Sequence, residues 1–161
     1  EMEAVAGCFG KKVLREVDED EFKKNIPTVR AKVGDRAVIR AMHFFADNAR
    51  VLKEVDALKN GDFETFKSYI LESGESSYKY NQNVFSVKKP SEQPVSLALA
   101  ISESILKGKG AWRVHGGGFA GTIQAFVPND ILADYKNAME GIFGEGSCYV
   151  LIIRPVGGVE V

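Results

Sequence analysis

Four glycines fall within positions 116–121 of the stretch VHGGGFAGTIQAFV, residues 114–127, and the residues on both sides have strand character. Glycine weakens helices and strands alike, so the chain must turn here. Gly116, Gly118 and Gly121 satisfy the pattern G-x-G-x-x-G, which in a dinucleotide-binding unit follows a strand and opens a helix. Here Thr122 to Val127 is β-branched and aromatic and runs into Pro128, so a second strand is expected and the dinucleotide reading fails on context. Two readings stay open. The loop forms an anion-binding concavity of unshielded backbone N–H groups, or it is a wide hairpin turn. Trp112, Arg113 and His115 precede it. Arg113 is a candidate fixed cation beside a phosphate cradle, or a partner for a surface carboxylate. His115 is a candidate ligand contact or acid–base group, or simply an exposed histidine.

The rest of the chain places this loop within an α+β order. Lys12 to Val17 alternates as a short strand, and the acidic run Asp18 to Glu21 caps a helix start. Pro27 interrupts the pattern. From Gly34 to Lys59, Ala37, Ala41, Phe44, Phe45, Val51, Leu52, Val55 and Leu58 recur near the helical period, which predicts one long amphipathic helix ended by Asn60-Gly61. Asp62 caps a second helix to about Leu71, with Phe63, Phe66, Tyr69 and Ile70 as its apolar face and Gly74 beyond its end. So short a turn predicts antiparallel helices. Residues 74–95 read as an irregular segment. Ser96 to Leu106 is helical again, stopped by Gly108 and Gly110, and Ala111 to His115 is the strand before the loop. Asn129 or Asp130 caps a helix from Ile131 to Phe143, with Ile131, Leu132, Tyr135, Met139, Ile142 and Phe143 facing inward. Cys148 to Ile153 reads as a buried strand. This order predicts an antiparallel sheet with helices on one face, of the split βαβ or ferredoxin-like kind.

At 161 residues with 45% hydrophobic content, one domain over residues 1–161 is expected. With 21 basic and 22 acidic residues the net charge is −1, which offers no electrostatic case for nucleic acid or an anionic membrane. Cys8 and Cys148 lack metal-ligand spacing and read as reduced thiols of a cytoplasmic protein. No apolar run approaches the roughly 20 residues of a membrane-spanning helix. The opening EMEAVAGCFG reads as the end of a helix already under way, so a fragment of a longer chain is expected. The motifs G-x-x-x-x-G-K-[ST], H-E-x-x-H, Cys-x-x-Cys and G-x-S-x-G are absent, no catalytic residue is identifiable, and no metal site is expected. His43, between Met42 and Phe44, reads as structural.

Taken together, AWRVHGGGFAGTIQAFV and the upstream RAVIRAMHFFADNARVLKEVDALKNGDFETFKSYILESGESS resemble the C-terminal half of galactokinases, members of the GHMP small-molecule kinase family. Upstream, the resemblance rests on Arg40, His43, Asp47-Asn48-Ala49-Arg50-Val51, Ala57-Leu58, Gly61-Asp62 and Glu72-Ser73. In the loop, Arg113, Gly116, Gly117, Gly118, Phe119 and Gly121 match the family's third motif, while His115, Ala120 and Thr122 depart from it. YKYNQNVFSVKKPSEQP stands where the family has an Asp-Tyr-x-Val-Ser-x-Pro-Glu stretch.

The resemblance implies a GHMP C-terminal domain type. It also implies an enzyme that transfers the γ-phosphoryl group of ATP, with magnesium, to the anomeric hydroxyl of galactose. The loop Arg113, His115, Gly116, Gly117, Gly118, Phe119 and Gly121 would wall the phosphate and sugar site. ATP and magnesium would be held mainly by an N-terminal kinase domain of the same chain. The family's sugar-gripping and ATP-loop motifs, and its catalytic carboxylate and arginine, lie in that half and do not occur here. An inactive isolated fragment is therefore expected. A kinase for another sugar or small alcohol, or a non-catalytic sugar or nucleotide sensor, are the alternatives.

Overall fold

A computed structural model describes residues 1–119 and 121–153. Ala120 and residues 154–161, with the expectations that fall on them, lie outside the described residues. Residues 1–126 form one compact unit. It opens with α1 (Met2–Gly7), a 3-10 turn at Leu14–Glu16, α2 (Glu19–Lys24) and α3 (Ile26–Val33). The strand expected at Lys12 to Val17 is not formed. Leu14 and Val17 are both buried, and that three-residue spacing is met by a helical turn and not by a strand. Asp18 does cap α2, accepting from the Glu21 N–H at 2.8 Å. Pro27 sits in the first turn of α3, where a missing N–H is harmless.

The long helix α4 (Asp35–Lys59) and α5 (Phe63–Ser76) form as expected, with Asp62 accepting from the Thr65 N–H at 3.0 Å. Ser73 bonds back to Asp47 and Ser76 to His43, so α5 runs antiparallel to α4. The apolar face of α4 is only partly used. Ala37, Ala41 and Phe45 join a core with Val5, Leu14, Phe22 and Val29, whereas Val51, Leu52, Val55 and Leu58 are exposed and Ala57 is buried instead. Beyond Asp47 the surface turned to α5 carries polar side chains, so the buried stripe loses its apolar continuity.

Gly74 does not end α5. It lies inside the helix because β1 (Ala111–His115) passes over it: a Cβ there would stand 3.0 Å from the Trp112 carbonyl oxygen and 3.1 Å from the Arg113 Cβ. The helix then widens into one π-helical turn, Ser77–Asn81, so the segment expected to be irregular from residue 74 starts as helix. Buried Ser73, Ser76 and Ser77, all small, permit that close packing. An irregular stretch follows to α6 (Pro94–Leu106), and β1 pairs antiparallel with β2 (Thr122–Phe126), Ala111 opposite Phe126 and His115 opposite Thr122. Phe66 of α5 meets Phe126 edge-on at 5.2 Å, closing a second core with Ala57, Ile70 and Ala111. Val84, Val95 and Val114 form a third. The result is an α+β fold with an antiparallel sheet.

Residues 127–161 form the other unit. A 3-10 turn at Asn129–Ile131 leads into α7 (Leu132–Phe143) without a side-chain cap, so neither Asn129 nor Asp130 caps it. Tyr135 and Met139 are buried, while Ile142 is exposed. Cys148 to Ile153 is neither a strand nor buried: Leu151 is 85% and Ile152 93% exposed. Its composition suits a strand, but a strand exists through its ladder partners, and among the described residues none pairs with it.

Candidate functional site

The glycine loop follows from its two strands. Once Ala111 and Val114 are buried in separate cores, β1 is pinned, and the register with β2 leaves six residues, 116–121, to reverse the chain. Gly116 and Gly117 are uncovered, since a Cβ at either would meet nothing within 4 Å. Gly118 is the opposite case. It has φ +77°, and a Cβ there would lie 2.0 Å from the Asn83 carbonyl oxygen, so glycine alone fits. Phe119, also at positive φ, donates its N–H to that same Asn83 carbonyl, and the Gly121 N–H donates to the Gly118 carbonyl at 3.2 Å. The Asn83 Nδ2 adds a long bond of 3.4 Å to the Gly117 carbonyl. Asn83 is 4% exposed, and its Oδ1 is buried without a partner among the described residues. An unpaired buried acceptor costs about 1–3 kcal/mol.

The segment carrying Asn83 is anchored on α4. Arg40 Nε donates to the Asn81 carbonyl at 2.9 Å, and its guanidinium stands 6.0 Å from the centroid of the half-exposed Phe119 ring. Arg40 also pairs with Glu1. Burial works to raise the Glu1 pKa, but hydrogen bonds from Arg36 and Arg40 override it and hold the carboxyl below its ordinary value. One helical turn on, His43 Nδ1 lies 2.9 Å from Ser76 Oγ. Burial pushes its imidazole below the usual histidine value, with Arg50 and Arg113 adding to the effect and Asp47 opposing it. Asp47 accepts from Ser73 Oγ at 2.5 Å and from Arg50 at 2.9 Å. Arg40, His43, Asp47, Asn48, Phe44 and Asn81 line an open cleft of about 450 Å³, and of these Arg40 also stands near the Phe119 ring.

The structure thus brings together Gly116, Gly117, Gly118, Phe119 and Gly121, and adds Asn83 and Arg40 to them. Arg113 lies within β1. It sits over Gly74, donates to the Val114 carbonyl at 3.1 Å, and lies within electrostatic reach of His43 and Glu54. Burial raises the Glu54 carboxyl above its ordinary value against the pull of Arg113. His115 is exposed at the end of β1. Nothing in the local pattern around Asn83 marks it, because its contacts are 34 to 36 residues away. Arg40 was visible as part of a motif but not as the loop's neighbour. Among the described residues, no three His, Cys, Asp or Glu side chains gather where a metal ion could be held.

No family model matches the chain. It is 37% identical over 142 residues, 88% of its length, to a galactokinase from Thermotoga neapolitana. It is 32% identical over 147 residues, 87% of its length, to a galactokinase from Mannheimia succiniciproducens, and 31% identical over 128 residues, 80% of its length, to one from Haemophilus influenzae. These alignments cover 34%, 36% and 31% of the respective relatives, so the chain spans about a third of the length of the curated proteins it matches.

Proposed function

Since this chain belongs to the galactokinase family as a C-terminal-like segment of it, we propose that it is one domain of a longer cytoplasmic kinase that phosphorylates galactose at the anomeric hydroxyl. The observation that carries the reading is the exposed backbone at Gly116 and Gly117, next to a Gly118 packed against Asn83, in a chain at 31–37% identity to galactokinases.

ATP supplies the γ-phosphoryl group, and magnesium neutralises its charge when bound. The likeness to galactokinases implies that magnesium and most of the nucleotide are held by an N-terminal domain of the longer chain. This chain contributes a wall. Peptide groups at Gly116 and Gly117 with no side chain over them admit a phosphate or sugar oxygen to backbone distance, and the Asn83 contacts orient the Gly117 carbonyl and the Phe119 N–H before the reaction. In phosphoryl transfer such positioning and electrostatics outweigh covalent chemistry. Among the described residues no helix is long and apolar enough to cross a membrane, and the net charge of −1 gives no drive toward nucleic acid. The isolated 161-residue chain is expected to be inactive.

The test is ADP production by the full-length protein with magnesium-ATP and a panel of sugars. Galactose-dependent turnover supports the reading. Turnover on another sugar alone reassigns the substrate. No turnover on any sugar overturns it in favour of a binding or sensing protein.

A further inference from the structure

We infer that Asn83 is the positioning residue of the glycine loop, holding Gly117 and Phe119 in the geometry that phosphoryl transfer needs; the inference rests on the kinase reading above. Among the described residues, the hydrogen bonds and ring contact that tie the loop to the fold beyond its own strands involve Asn83 or Arg40. The Asn83 carbonyl accepts from the Phe119 N–H, and its side-chain amide donates to the Gly117 carbonyl at 3.4 Å. Its main chain also fills the space a Gly118 side chain would take. Two residues earlier, the Asn81 carbonyl is fixed to α4 by Arg40 at 2.9 Å, and the same guanidinium stands over Phe119. The loop is therefore seated on the segment 81–83 and, through it, on the longest helix.

The residue type carries the argument further. A site 4% exposed, beside Val84 at 0%, ordinarily takes an apolar side chain. An amide there makes one long bond and leaves Oδ1 unpaired among the described residues, a poor arrangement for stability. What it does supply is an uncharged donor aimed at the carbonyl of Gly117, one of the two uncovered peptides. Local choices that cost stability concentrate where function requires them. Asn83 touches neither phosphate nor sugar in this role; it acts through the loop.

The experiment compares wild-type and Asn83→Ala full-length protein by steady-state kinetics, thermal melting and hydrogen exchange in the peptide covering 115–122. With galactose turnover established, kcat is expected to fall about tenfold to a hundredfold, the cost typical of a small misplacement of catalytic geometry. The sugar KM should stay within about threefold, the signature of an interaction needed in the transition state and not in binding. The melting temperature should hold or rise, and exchange in the loop should quicken. A purely structural residue would instead lower the melting temperature and leave the kcat and KM pattern of the folded enzyme alone. If Asn83→Ala does not fold, Asn83→Asp keeps the shape while withdrawing the donor from the Gly117 carbonyl. Unchanged loop exchange with kcat within about twofold of wild type overturns the proposal. Absence of turnover in the wild type overturns the kinase reading alone, and the exchange comparison still decides whether Asn83 holds the loop.

Discussion

The strand β1 is entered and left through glycine, and the two ends use it differently. At the entry, Gly110 is closed in: a Cβ would lie 2.4 Å from the Phe126 carbonyl oxygen and 3.3 Å from the Leu106 side chain, and its N–H donates to the Leu106 carbonyl at 2.8 Å. Glycine there lets α6 and the hairpin approach and serves the fold alone. At the exit, Gly118 is as tightly held against Asn83, yet a Cβ at Gly116 or Gly117 would meet nothing within 4 Å. One glycine seats the loop while its neighbours leave backbone bare. Glycine content is therefore a poor guide to packing, since one glycine of the loop is locked and two are open.

The comparison breaks most readily at Gly118. Gly118→Ala meets both a steric overlap of the kind that costs about 1–3 kcal/mol and a positive φ. It should show the largest loss of stability in urea titration, together with loss of turnover in the full-length protein. Gly110→Ala should cost about 1–3 kcal/mol through overlap alone. Its residual activity should follow the folded fraction, because it touches the fold and not the loop. If Gly110→Ala instead abolished turnover in fully folded protein, the two ends would not be different in kind.

A smaller effect concerns pH. The anchoring side of the loop contains His43, bonded to Ser76 just before the turn that leads to Asn83, and burial holds its imidazole below the ordinary value of 6.5. The sign follows from that depression. Below pH 6.5 the unfolded chain takes up a proton that the fold resists, so stability present above that pH is lost as pH falls toward and through the depressed value. His43→Asn should flatten this loss in urea titrations run across that window, and an unchanged slope would remove His43 from the account. The smallest expected change is in Gly117→Ala, whose Cβ enters open space: stability within about 0.5 kcal/mol of wild type, with turnover of the full-length protein reduced. Full activity in that variant would make the open glycines a mere hairpin turn.

Much of this was legible from residue order. The periodicity of Ala37, Ala41 and Phe45, the cap at Asp62 and the strand limits at Ala111 and His115 all reappear in the structure, because each depends on neighbours within a few positions. The misreadings share a cause. Gly74 reads as lying beyond a helix end but marks the crossing of β1, and Cys148 to Ile153 reads as a strand though no partner pairs with it among the described residues. The candidate site divides in the same way. Its glycines are evident from spacing, but Arg113, next to them in sequence, donates to the Val114 carbonyl, while Asn83, more than 30 residues away, holds the loop.

The sequence alone determined the long helix that ends at Lys59, the helix capped by Asp62, the two strands around the glycine loop and, through motif likeness, the resemblance to galactokinases. Those properties rest on local propensity, on the absence of a Cβ and on the pattern of residue types. Only the tertiary structure decided which glycine is locked and which are open, and that a buried amide on an irregular segment seats the loop. Such contacts join residues far apart in the chain, and a backbone carbonyl, which every residue carries, is as able to make them as any side chain.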